Sequence, residues 1–105
     1  MSDMFNSEND AVGSSTGFDE ILPPPECKVL FYNDDFTTKD FVVDVLVNIF
    51  NKPHKEAEGL METVHQTGSA VVGSYTYDIA ISRTNTTKNL ARRNGYPLRV
   101  EIEQN

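Results

Sequence analysis

A single cysteine, Cys27, is all this chain contains. One thiol closes no intrachain disulfide and cannot supply a multi-cysteine zinc site. The two histidines, His54 and His65, lack the HExxH-like spacing that would set two imidazoles on one helical face, so no metal site is expected. No apolar run approaches the roughly 18 residues of a membrane span, and the first residues lack the basic start and apolar core of a signal peptide. Lys and Arg are missing from residues 1–26 and total 9 against 16 Asp and Glu overall, for a formal charge of −7. That is the wrong sign for a phosphate-binding surface. Ser/His/Asp, Walker and dinucleotide signatures are absent too. What these absences leave is a small acidic protein, expected to be soluble, cytoplasmic and monomeric, with no nucleic-acid, membrane or cofactor partner. The acid-rich, Arg-free start is equally unlike a plastid transit peptide.

The 105 residues allow one domain and a tail. Residues 1–26 hold six acidic side chains and no base, carry no sustained periodicity and end at Pro23-Pro24-Pro25. They are expected to be a disordered acidic extension, since such composition buries too little apolar surface to offset chain entropy. Phe5, Phe18, Ile21 and Leu22 are its candidate anchors. Residues 27–105, nearly neutral with 10 acids and 9 bases, form the expected core domain.

Within that domain Lys28–Asn33 reads as a strand. Thr37 with Asp40 three residues later reads as an acidic capping box, flanked by Phe36 and Phe41 as a hydrophobic staple. The helix so opened runs to about Phe50 with a broad apolar face. A second helix starts near Pro53 and stops at Gly68. Residues 70–77 form a strand with a bulge signal at Gly73. Residues 78–93 read as a weaker helix, because Thr84, Asn85, Thr86 and Thr87 are poor helix formers. Leu98–Glu103 alternates as a half-buried strand. The order β-α-α-β-α-β predicts an α+β fold, with three helices packed on one face of a three-stranded antiparallel sheet.

Three features carry potential chemistry. Asn33-Asp34-Asp35 gathers oxygen acceptors at a strand-to-helix junction, where carboxylates also simply favour a helix N-terminus. An ammonium offers three donors to such acceptors. His65 follows Met61 by one helical turn, so a neutral imidazole nitrogen would sit beside the apolar wall of Met61 and Val64. Val42 belongs to an apolar stripe that would ordinarily be core. Together these features describe a pocket with acceptors at the rim and an apolar floor, suited to a free amine carrying a bulky hydrophobic side chain. A generic protein-interaction concavity indifferent to a free N-terminus is the alternative. An acid/base enzyme built on Asp34 or Asp35 with His65 lacks any identifiable nucleophile, metal set or cofactor motif.

The stretch Asn33 to Thr37 (NDDFT), FVVDVL (Phe41 to Leu46), LMETVHQTG (Leu60 to Gly68), the G-x-Y-T run (Gly73 to Thr76) and ARRNGYPL (Ala91 to Leu98) occur in the order found in the ClpS family, which the chain resembles over nearly all of residues 23–104. The resemblance implies a non-catalytic adaptor. Such proteins bind substrates with N-terminal Phe, Tyr, Trp or Leu (N-degrons) and deliver them to a ClpA- or ClpC-type AAA+ unfoldase. Carried over by position, Asn33, Asp34 and His65 would hold the free α-amine, with Asp35 alongside. Thr37, Lys39, Val42, Met61, Val64 and Leu98 would line the side-chain pocket. Asp78, Ser82 and Arg83 would dock the unfoldase, and the acidic extension would serve in substrate hand-over. The family usually has methionine where this chain has Lys39. Lysine can lay its methylenes on an apolar wall while keeping the ammonium in water.

Overall fold

The computed structural model describes residues 22–105, so the expectations for residues 1–21 fall outside the described part. Leu22–Pro25 have no regular structure, and the chain enters the fold at Glu26. The elements are β1 (Glu26–Tyr32), α1 (Lys39–Asn48), α2 (His54–Thr67), β2 (Ser69–Thr76), α3 (Tyr77–Arg93) and β3 (Arg99–Gln104). β1 lies in the middle of an antiparallel sheet of order β2-β1-β3. Its residues alternate strictly. Cys27, Val29 and Phe31 are buried on one face, whereas Lys28, Leu30 and Tyr32 face outward. The inward face meets the helices in one core that includes Phe41, Val45, Leu46, Phe50, Ala57, Val64, Ala80 and Ala91. The expected fold is therefore the observed one.

The boundaries shift by a residue or so, each for a local reason. Thr38, not Thr37, caps α1, and its hydroxyl oxygen accepts from the N–H of Phe41 at 3.1 Å. The Thr37 hydroxyl turns back toward the loop instead and donates to Asp34 Oδ2 at 2.7 Å. The third helical position is thus Phe41 rather than an acid, and no reciprocal capping box forms. The staple fails as well, for Phe36 is 73% exposed. Replacing the cap, Thr38→Ala, lowers unfolding free energy by about 1 kcal/mol, read as a lower urea midpoint at constant m-value.

Pro53 precedes α2 as its cap residue, with the N–H of Ala57 donating to the Pro53 carbonyl at 2.9 Å. Gly68 closes the helix at φ 97, a left-handed conformation that glycine adopts without a Cβ clash. The bulge expected near Gly73 is present: Val29 faces Gly73 while Leu30 faces Val71, leaving Val72 as the extra residue. A Cβ at Gly73 would come within 2.8 Å of the Tyr75 hydroxyl, so the side-chain-free position lets Tyr75 fold back across the strand.

The third helix is continuous over 17 residues despite its threonines. Ala80, Thr84, Thr87 and Ala91 are all buried, and these small side chains let the helix lie close to the sheet. The Thr87 hydroxyl donates to the Arg83 carbonyl at 2.8 Å, so burial leaves it satisfied. Packing against the sheet outweighs the intrinsic preferences of these residues, which differ from alanine by only a few tenths of a kcal/mol, up to about 0.7.

Candidate functional site

The junction between β1 and α1 is built around one carboxylate. Asp34 Oδ1 accepts the N–H of Phe36 at 2.8 Å and that of Thr37 at 2.6 Å, and Oδ2 accepts the Thr37 hydroxyl. Aspartate favours turns because its short side chain can reach backbone donors two and three residues ahead. Burial alone would raise the Asp34 pKa. The hydrogen bonds from the Thr37 hydroxyl, the Thr37 N–H and the Phe36 N–H outweigh it and hold the carboxyl below its ordinary value. The group is therefore an anion throughout the neutral range, and a carboxylate has room for a further donor beyond these three.

A backbone bond brings the second half of the site alongside. The Asn33 N–H donates to the Gly68 carbonyl at 2.9 Å, tying the end of β1 to the C-cap of α2. His65 lies three residues before that cap, so the acceptor-rich loop and the last turn of α2 face each other. Between them is a cavity of about 290 Å³ lined by Asn33, Asp34, Asp35, Thr37, Lys39, Val42, Met61, Val64 and His65. Polar groups from the loop and His65 meet an apolar wall in which Val42 and Val64 are buried and Met61 half-buried. The volume lies at the small end of ligand sites, the size of one side chain rather than an extended ligand.

Leu98, expected in the same pocket, stands apart. It is 7% exposed and lines a different depression with Tyr96 and Pro97. Its place at the end of the loop before β3 turns it into the core. Lys39 lines the cavity from the first position of α1, with its side chain exposed. The residues expected to dock a partner cluster at the start of α3. Asp78 and Ser82 are exposed one turn apart, and Arg83 sits with its guanidinium 5.1 Å from the ring centre of Tyr75. What the sequence does not reveal is the capping work of Asp34. The only signal for it is an aspartate placed two and three residues before free backbone donors. Among the described residues no group of three or more His, Cys, Asp or Glu side chains converges as a metal site. No described helix is long and apolar enough to cross a membrane.

Comparison with known proteins gives a consistent result. The family described as "ATP-dependent Clp protease adaptor protein ClpS" matches residues 22–101. The ATP-dependent Clp protease adapter protein ClpS of Treponema denticola is 45% identical over 86 residues, 82% of this chain and 85% of its own length. That of Myxococcus xanthus is 36% identical over 103 residues, 98% of this chain and 96% of its own. The solved structure of Agrobacterium tumefaciens ClpS2 bound to L-phenylalaninamide matches with a TM-score of 0.75 and 34% identity, covering 79% of this chain and 100% of that one. With the fold, the cavity and the sequence motifs in agreement, the chain belongs to the ClpS family of adaptors of the ATP-dependent Clp protease.

Proposed function

We propose that the cavity between β1, α1 and α2 binds the first residue of a protein whose N-terminus is a free amine on Phe, Tyr, Trp or Leu, and that the chain delivers this protein to the Clp ATPase without chemistry of its own. One observation carries the reading. Asn33, Asp34 and His65 share a cavity of one-side-chain size with the apolar Val42, Met61 and Val64. An amine with a bulky hydrophobic substituent satisfies both halves at once, and the ClpS2 relative was solved with phenylalaninamide, a ligand of that chemistry.

In this reading Asp34 supplies the charge that complements the ammonium, Asn33 and the imidazole of His65 accept from it directionally, and Asp35 adds negative potential at the rim. Thr37, Lys39, Val42, Met61 and Val64 enclose the side chain. Asp78, Ser82 and Arg83 form the contact for a ClpA- or ClpC-type unfoldase.

Fluorescence anisotropy with labelled peptides that differ only at residue one tests the reading. Phe and Leu bind tightly and Arg does not. Equal binding of all three would leave a generic interaction groove as the better account. Lys39 makes a separate contribution. Its ammonium at the rim opposes that of the substrate by about 0.5 kcal/mol at solvated distances near 8 Å. Lys39→Met therefore strengthens binding of the Phe peptide roughly twofold at low salt and loses that advantage at high salt. An Ile peptide in the same series reports how the lysine stem shapes the wall against β-branched side chains.

A further inference from the structure

Three depressions share residues and join into one track along the seam between α3 and β3. The first, about 340 Å³, is lined by Pro24, Pro25, Cys27, Tyr77, Asp78 and Gln104, among others. Tyr77 and Gln104 also line the second, about 370 Å³, with Ile81, Thr84, Lys88 and Ile102. Lys88, Val100 and Glu101 pass into the third, about 490 Å³, which ends at Arg92 and Arg99. The head of the track is mostly apolar, the rest mixes polar and apolar surface, and one of its polar groups is unanswered. Thr84 is 2% exposed, and its hydroxyl has no hydrogen-bond partner among the described residues. β3 is an edge strand, so one side of its backbone has no strand partner among those residues.

We infer that this track is the docking site of the chain's own N-terminal segment, the residues that precede Leu22. Position favours it first. Pro24 and Pro25 line the head of the track, so the segment leaves the fold there. Reach is ample. Tyr77 to Arg92 spans about 22 Å of helix at 1.5 Å per residue, which about seven extended residues cover at 3.3 Å each, and 21 residues precede Leu22. Charge agrees as well. Residues 1–21 contain Asp3, Glu8, Asp10, Asp19 and Glu20 and no base. The far end of the track presents Lys88, Arg92 and Arg99, and of these only Arg99 is paired with a carboxylate among the described residues, Glu101 at 3.1 Å. Ile81 and Ile102, half-buried in the second depression, offer an apolar contact for Phe18 and Ile21, while Glu8 and Asp10 lie far enough along the chain to meet Lys88 and Arg92. Tethering raises the segment's effective concentration to the millimolar range, so even weak contacts are occupied.

The test uses the full-length chain labelled with ¹⁵N. At about 0.1 M salt the amide resonances of Phe18, Ile21, Ile81, Asn85 and Ile102 report the docked state, and raising salt to about 1 M, where the Debye length falls to about 3 Å, releases the segment and shifts them together. The double reversal Lys88→Glu/Arg92→Glu, at two exposed positions that the fold does not need, shifts the same resonances at low salt. Adding Glu8→Lys/Asp10→Lys to that variant restores them, which a general salt effect or a local disturbance of α3 would not do. Two results overturn the inference. In one, Phe18 and Ile21 do not respond to the reversal at Lys88 and Arg92. In the other, the shifts grow with protein concentration and the mass doubles, which makes a second copy the occupant. Loss of Phe-peptide binding would leave this inference untouched, because the peptide cavity is built from α1, α2 and the β1 loop.

Discussion

A peptide that begins with Phe and a free amine binds at least about a hundredfold more tightly than the same peptide acetylated. The estimate follows from the rim. A hydrogen bond to a charged group is worth about 1.5–3 kcal/mol, and each 1.4 kcal/mol is a factor of ten. Acetylation removes the charge and two of the three donors that Asn33, Asp34 and His65 would receive, and it pushes a methyl and a carbonyl into an acceptor-lined rim. Losing two such bonds already exceeds two orders of magnitude. The phenyl ring is unchanged, so the comparison isolates the amine from the apolar pocket. Competition anisotropy measures it directly, and equal affinities for the two peptides would remove amine recognition from the account.

Asp34→Asn and Asp34→Ala separate two duties of one side chain. The amide of Asn keeps an oxygen for the N–H groups of Phe36 and Thr37, which Asp34 Oδ1 now accepts. Asp34→Asn therefore folds nearly as well as the native chain and loses binding by about ten- to a hundredfold, the worth of one charged hydrogen bond. Asp34→Ala loses the same affinity and in addition about 1 kcal/mol of stability. The acid dependence follows from the lowered pKa of Asp34. A carboxyl held lower in the folded chain than in the unfolded one contributes stability above its unfolded value, 3.8, and loses it as pH falls through the lower folded value. Below pH 4 the native chain thus loses stability more steeply than Asp34→Asn, read from urea midpoints across that range. Parallel acid profiles for the two proteins would show that the loop does not depend on the ionised carboxyl.

The order of elements was readable because the signals for it are local. Cys27, Val29 and Phe31 alternate, Gly68 stops a helix, and Gly73 marks a bulge. Where two neighbours were equally able, the sequence did not decide. Thr37 and Thr38 can each cap a helix, and the choice is made by Asp34, which engages the Thr37 hydroxyl and leaves Thr38 free. Thr84 and Thr87 argued for a weak third helix because their burial against the sheet is not written in their own neighbourhood. The site is a sharper case. Asn33, Asp34, Val42 and His65 are unremarkable taken one at a time, and they describe an amine-binding pocket only when set side by side. The physical join is the main-chain bond from Asn33 to Gly68, which no side-chain pattern records. Leu98 shows the same limit: an apolar residue beside a strand carries no mark of which cavity it will face, and here it lines the depression with Tyr96 and Pro97.

The position of β1 also has a mechanical consequence. The N-terminal segment enters the fold at Glu26, the first residue of the one strand that is paired on both flanks. A pull on that segment along the strand axis loads two ladders in shear at the same time, whereas an edge strand drawn sideways yields one bond after another. The chain that precedes Glu26 is therefore joined to the one strand of this sheet that has two partners. Tension applied there meets both ladders before it reaches the β1–α1 loop and the cavity that the loop encloses.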